Sequence, residues 1–431
     1  MTLRKHTGIR GLALGCLLAV AVPLAGAEAA GNIWMDENAE VQAKDFKKVV
    51  LFPLRYLQAP DGKVNEFQGY NGELAKRIHK RIKRTNFMNF EDPDDTKAAD
   101  KKREKREILR TNPAYDALLR HFDSEADRAK AVYDTTGAEG YLLPHIRYEQ
   151  ERVDHSPATW TTVKMETYYN VENGPYGDKN KCNYQSWYAD HRIPAHDSTL
   201  QMLDMDFRLY DAATGKEAMT LIDYYRNYGV DQWHAFEQIA KNFTGDWNRL
   251  KKDHDQNVPA NAPTMGFRNL ELPYAASQDE FAIKTIYYAY KDEAGDDLKR
   301  VKVDYTPNGG RYYVTGAITD YARGETWHQP YADTYADDYK TEKFKWCDDK
   351  GNEHEGRRIY YKTHVSDHYG YYSFWYRTAA DLSLIDSRTG NVVLARHLEA
   401  EDSDRYANAL RKMFKSFYKD VDKAIGIANP S

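Results

Sequence analysis

Between Met205 and Leu209 apolar and charged side chains alternate: Met205, Phe207 and Leu209 against Asp206 and Arg208. The same alternation returns later, with Ala380, Leu382 and Leu384 against Asp381 and Ser383. Period-two patterning predicts a strand with one face on a core and the other toward water. Each strand runs into Asp-x-x-Thr-Gly: Asp211, Thr214 and Gly215 in the first copy, Asp386, Thr389 and Gly390 in the second. Asp accepts hydrogen bonds from backbone N–H groups just ahead of it and Gly takes positive φ, so the motif predicts a hairpin turn. A second strand and a helix follow in both copies. Ile239, Phe243, Trp247 and Leu250 fall at helical spacing, as do Met413, Phe417, Val421 and Ile425. A strand, turn, strand and helix matching in order predict a tandem duplication.

The rest of the chain is organised around these two units. Val49 to Leu54 is a short apolar run, which suits a strand buried on both faces. Asn71 is placed to cap a helix with Leu74, Ile78 and Ile82 on one stripe and a solvated basic face; a second strand is expected over Phe87 to Phe90. Residues 92–107 are dense in charge and have no large apolar groups, which predicts an exposed helix or a charged insertion. Ser124 with Asp127 has capping-box spacing before a helix to Tyr133, and Gly137-Ala-Glu-Gly-Tyr-Leu-Leu then turns into a strand. Residues 251–265 are polar and aperiodic, with Pro259 and Pro263, and read as a linker. Beyond it, Ser277 to Glu280 has capping-box spacing ahead of a helix over Phe281 to Tyr290, and Asn308-Gly309 reads as a hairpin turn. The expected organisation is a targeting segment over 1–29, a first repeat domain over 30–250, the linker over 251–265 and a second repeat domain over 266–431. The fold class is α+β: two tandem repeats, each a mostly antiparallel sheet packed by helices.

A buried amino-terminal strand, a helix, and a later helix leading into Gly137-Ala-Glu-Gly-Tyr-Leu-Leu resemble the small α/β domain of curli-secretion (CsgG-type) lipoproteins. The TolB amino-terminal domain is similar. In those families a hairpin and a closing helix follow, as Phe207 to Leu250 do here. The resemblance spans roughly residues 46–250 and, more weakly, 266–425. It implies an assembly or accessory role in the cell envelope without catalysis. The chain departs from those families in its long aromatic inserts.

Composition adds a compartment. Arg4, Lys5 and Arg10 precede an apolar run from Gly11 to Leu24 and a small-residue site at Ala27-Glu28-Ala29, the layout of a cleaved export signal. Cys16 has Ala13 where lipidation sites usually carry Leu, so no lipid anchor is expected there. Removing 1–29 moves the net charge from −5 to about −7, which argues against a nucleic-acid partner. No later segment is apolar enough to cross a bilayer as a helix. Cys182 and Cys347 sit one in each aromatic insert; export permits a bridge between them, but free thiols are the expected state.

Candidate chemistry is sparse. Phosphate-binding, serine-hydrolase, zinc-protease and EF-hand patterns are absent from the sequence, so no cofactor and no catalytic residue are assigned. His191 and His196, and later His364 and His368, stand near Asp190, Asp197 and Asp367 and are the candidate metal ligands. The competing reading is loop histidines in water, because the two spacings differ. Among 34 Tyr and 8 Trp, Trp160, Trp187, Trp327 and Trp346 are the candidates for stacking on a ligand such as a glycan; the competing reading is cross-strand packing. Asp204 and Asp206 have acid–base spacing but fall on the polar side of an alternating strand, where water is expected. The expected role is an exported, non-enzymatic accessory protein that binds another envelope protein. A glycan-binding protein and a metal-dependent hydrolase using the loop histidines are the alternatives.

Overall fold

The computed structural model describes residues 32–35, 45–57, 68–89, 117–249, 258–304 and 310–428. The targeting segment, the charged stretch over 92–107, residues 251–257 of the linker and the Asn308-Gly309 turn lie outside these residues.

The described chain is α+β and folds into two compact units. The larger draws on the described parts of 29–160, 194–330 and 369–431 and holds two sheets. In the first sheet, strands β1 (Asn32–Met35), β2 (Lys48–Leu51), β4 (Asn86–Asn89), β5 (Gly140–Ser156), β8 (His196–Asp211) and β9 (Glu217–Tyr228) run in the order β1-β9-β8-β5-β2-β4. The short β3 (Arg55–Tyr56) also pairs with β5. The second sheet runs β11-β10-β12-β15-β16, from β10 (Thr264–Phe267), β11 (Lys302–Val303), β12 (Tyr312–His328), β15 (Tyr371–Asp386) and β16 (Val392–Asp402). The two orders correspond strand for strand from β9 to β4 and from β16 to β11, with the long pairs antiparallel and the short inner strands parallel.

Each sheet buries the face its alternation marks. On the first, α1 (Gln68–Arg81) brings Leu74 and Ile78 and α3 (Gln232–Arg249) brings Ile239, Phe243 and Trp247 onto Met205, Phe207 and Leu209. Phe207 and Phe243 are fully buried and stacked, with centroids 4.3 Å apart. On the second, α5 (Glu280–Asp297) and α6 (Tyr406–Ala428) place Ile286, Met413, Phe417 and Val421 on Val314, Leu382 and Leu384. The hairpin turns form as their residues require: the Asp211 carboxylate accepts the Ala213 and Thr214 N–H groups, Asp386 accepts that of Arg388, and Gly215 and Gly390 take φ of 70° and 71°.

Three local expectations change. Asn71 does not cap: α1 already runs from Gln68, and the Asn71 side chain accepts the Leu54 N–H at 2.6 Å, tying helix to strand. Ser277 ends a one-turn helix, α4 (Tyr274–Ser277), and Asp279 is the cap of α5, accepting the Phe281 N–H at 2.9 Å. Ser124 does cap α2 (Glu125–Thr136), which covers part of the other face of the first sheet. β10 begins at Thr264, inside the stretch read as linker.

The smaller unit is made of 161–193 and 331–368, which overlap the aromatic inserts of the sequence, Tyr148 to Tyr188 and Tyr321 to Tyr376. Strands β6 (Thr159–Glu172), β7 (Lys179–Ile193), β13 (Tyr331–Cys347) and β14 (Glu353–His368) form one antiparallel sheet in the order β13-β14-β6-β7. The inserts, expected to belong to separate domains, therefore share hydrogen bonds through β14 and β6. Val163 and Ile193 are its buried apolar side chains among the described residues. Cys182 and Cys347 are free and stand on its two outer strands, with β14 and β6 between them.

Candidate functional site

The sheet of the smaller unit carries aromatic rings where a core strand would carry aliphatic ones. Register puts Tyr331 opposite His368, Tyr335 opposite His364, and Tyr360 opposite both Lys340 and Tyr169, all on one face. Tyr331 stacks on His368 at 4.4 Å and Tyr335 on His364 at 5.7 Å, yet Tyr331, Tyr335 and Tyr339 stay 47%, 49% and 55% exposed. The opposite face stacks Tyr168 on Tyr361 and gathers Lys164, Lys181 and the Tyr184 hydroxyl on Glu166. The hydrogen bond from Lys164, followed by those from Tyr184 and Lys181, holds the Glu166 carboxyl well below the usual carboxylate range.

The histidines do not converge. His191 bonds Asp367 at 2.6 Å, His196 stacks on Tyr369, and His364 and His368 stack on the tyrosines just named. Among the described residues, no three His, Cys, Asp or Glu side chains gather as metal ligands would. The tryptophans divide. Trp346 donates its indole N–H to the Asn173 carbonyl and stacks on His354; Trp327 lies over Gly370 and packs on Tyr372. Both are structural cross-strand rings covering a neighbour. Trp160 and Trp187 are 69% and 46% exposed.

The sequence missed a second site in the larger unit. The polar side of β8 does not meet water: α5 packs over it, with Lys284 bonded to Glu217 and Thr220 of β9 and Phe281 under Arg147 and Arg208. Asp206 is consequently fully buried, bonded to His145 at 2.9 Å and to Arg208 at 3.3 Å. Burial holds His145 below the ordinary imidazole value, against the pull of Asp206. Asp204 does not act as its acid–base partner; it takes a two-pronged contact from Arg226 at 3.2 and 3.3 Å.

Beyond the first turn of α5 the layer opens into a cavity of ≈ 720 Å³. Two β-bulges shape it. Ile146 pairs with Met205 and Tyr148 with Asp204, leaving Arg147 as the extra residue of β5. Ile318 pairs with Ala380 and Asp320 with Ala379, so alternation shifts along β12 and Tyr321, Arg323 and Glu325 line the cavity. Arg152 is held by Asp154 and Glu325. Arg147 lies 3.6 Å over the Phe281 ring, and neither it nor Arg323 has an ion-pair partner among the described residues. Both act electrostatically on Asp204, which already holds Arg226; burial nevertheless leaves the Asp204 carboxyl above its ordinary value. No motif in the sequence marked this site, because Arg147, Arg226 and Arg323 come from β5, β9 and β12, far apart in the chain.

No helix of the described residues is long and apolar enough to cross a membrane. No protein-family model matches the chain, and no curated protein does. Among solved structures, a PelC dodecamer from Paraburkholderia phytofirmans is 9% identical over 50% of this chain and 96% of that one, with a TM-score of 0.23. A hypothetical protein from Chlamydia trachomatis is 12% identical over 46% of this chain and 85% of that one, with a TM-score of 0.20. Likenesses this low carry no functional argument.

Proposed function

We propose that the chain is an exported, non-enzymatic accessory protein of the cell envelope, built on a duplicated α+β unit, that acts by binding another protein through the sheet of β6, β7, β13 and β14. One observation supports this reading: that sheet has strands of 14 to 17 residues yet buries only Val163 and Ile193 among its described apolar side chains. Among the described residues its outer strands β13 and β7 pair on one side only. Long open edges and exposed rings on a soluble surface are features that a protein partner covers. The resemblance of residues 46–250 to curli-secretion lipoproteins points to the same class of role.

A glycan is the second reading, favoured by exposed Trp160 and Trp187. Against it, Tyr331 and Tyr335 already give one ring face to a neighbouring histidine. The test replaces Tyr331, Tyr335 and Tyr339 together with Thr, which keeps strand propensity. Site-directed crosslinking from β13 in native envelopes should then lose its protein adduct while binding to purified peptidoglycan is unchanged. An adduct that persists overturns the protein reading, and loss of peptidoglycan binding alone selects the glycan.

A further inference from the structure

The cavity in the larger unit is not used by the reading above, and its charge does not balance. Asp204 is within electrostatic reach of three guanidinium groups, Arg226, Arg147 and Arg323, and satisfies the first directly. The other acids at its wall are engaged: Glu325 with Arg152, and Asp279 with the Phe281 N–H that it caps. Arg147, half-buried, and Arg323, exposed, are therefore left without a paired carboxylate at the wall of this concave space. Guanidinium forks match carboxylate and phosphate oxygens in pairs of hydrogen bonds. Beside them stand the rings of Phe281, Tyr321 and Phe374, and ≈ 720 Å³ lies in the range that encloses a small organic molecule.

The bulge strengthens the case. An extra residue in a central strand costs ladder hydrogen bonds, and at β5 it is spent on aiming Arg147 over Phe281. Stacking on a ring occupies the face of a guanidinium and leaves its N–H edge available to a ligand. Arg147 ends on a ring at the cavity wall.

We propose that this cavity binds a small organic anion, its carboxylate or phosphate held between Arg147 and Arg323 and its ring or apolar body laid against Tyr321 and Phe374. The test uses the full chain with phenyl phosphate and benzoate as probes, and inorganic phosphate and benzyl alcohol as controls, followed by calorimetry and thermal unfolding. At least one aryl anion should bind and raise the unfolding midpoint, at least tenfold more tightly than either control. Arg147→Gln and Arg323→Gln should each weaken it about tenfold or more, with each ligand-induced rise in midpoint read against that variant's own unliganded midpoint. Arg147→Lys, which keeps the charge and loses the fork, should fall between. The proposal is overturned if neither aryl anion binds at millimolar concentration, or if both Gln variants bind as the parent does. Inorganic phosphate binding as tightly as phenyl phosphate would remove the aromatic wall from it.

Discussion

The long strands of this protein are stabilised in two different ways. In the larger unit, β8 and β15 lie under helices, and one face of each is a row of fully buried side chains such as Met205, Phe207, Leu382 and Leu384. In the smaller unit, β13 and β14 are as long, but their side chains meet chiefly each other: Tyr on His, Lys343 on Glu355, Lys345 on Glu353. Helix-covered strands draw on the hydrophobic effect, which scales with buried apolar area, at roughly 25 cal/mol per Å². Cross-strand pairs contribute roughly 0.2–1 kcal/mol each. Strand length alone thus says little about where stability resides, and the contrast can be broken by mutation.

The sharpest test is truncation on each side. Phe243→Ala removes a fully buried ring stacked on Phe207 and should cost about 3–5 kcal/mol in denaturant unfolding. Tyr335→Ala on the open sheet should cost less than about 1 kcal/mol. Equal losses would mean that the open sheet is as much a core as the covered one.

A second test lies in the larger unit's buried charge. Arg405 reaches Asp223 at 2.8 Å, with both side chains almost wholly buried, and Asn242 donates to the same carboxylate. Burial pushes the Asp223 carboxyl up and Arg405 opposes that push. Arg405→Ala should therefore cost about 3 kcal/mol, because it strands a buried carboxylate. Adding Asp223→Asn should recover part of the loss; no recovery would show that Arg405 acts through packing alone.

Stability should also depend on pH through Glu293, on α5. Burial raises its carboxyl from the ordinary 4.5 to about 7, against Arg411. A raised carboxyl binds a proton more tightly folded than unfolded. Its contribution is therefore complete below about pH 4.5 and is lost as pH rises through about 7, roughly 3 kcal/mol in all. Glu293→Gln should remove that slope, leaving the variant the more stable of the two above pH 7. Parallel pH profiles of parent and variant would refute the assignment.

The smallest effect is expected on the open sheet. Lys343 and Glu355 are an exposed pair, and Lys343→Ala should leave the unfolding midpoint unchanged at low and high salt. A salt-dependent drop would show that the sheet's ion pairs act as a network.

What the sequence determined by itself is local. Asp211 with Gly215 and Asp386 with Gly390 make their turns through atoms within five residues, and the stripes of α3 and α6 follow from helical period, so both were legible. Alternation on β8 located its apolar face for the same reason. It did not say what covers the polar face, because a period reports a difference between two sides and not the presence of α5 over one of them. Burial of Asp206, the bulge that turns Arg147 into the cavity, and the joining of two distant inserts through β14 and β6 were decided by tertiary structure. Each depends on pairing between residues far apart in the chain, which no local pattern encodes.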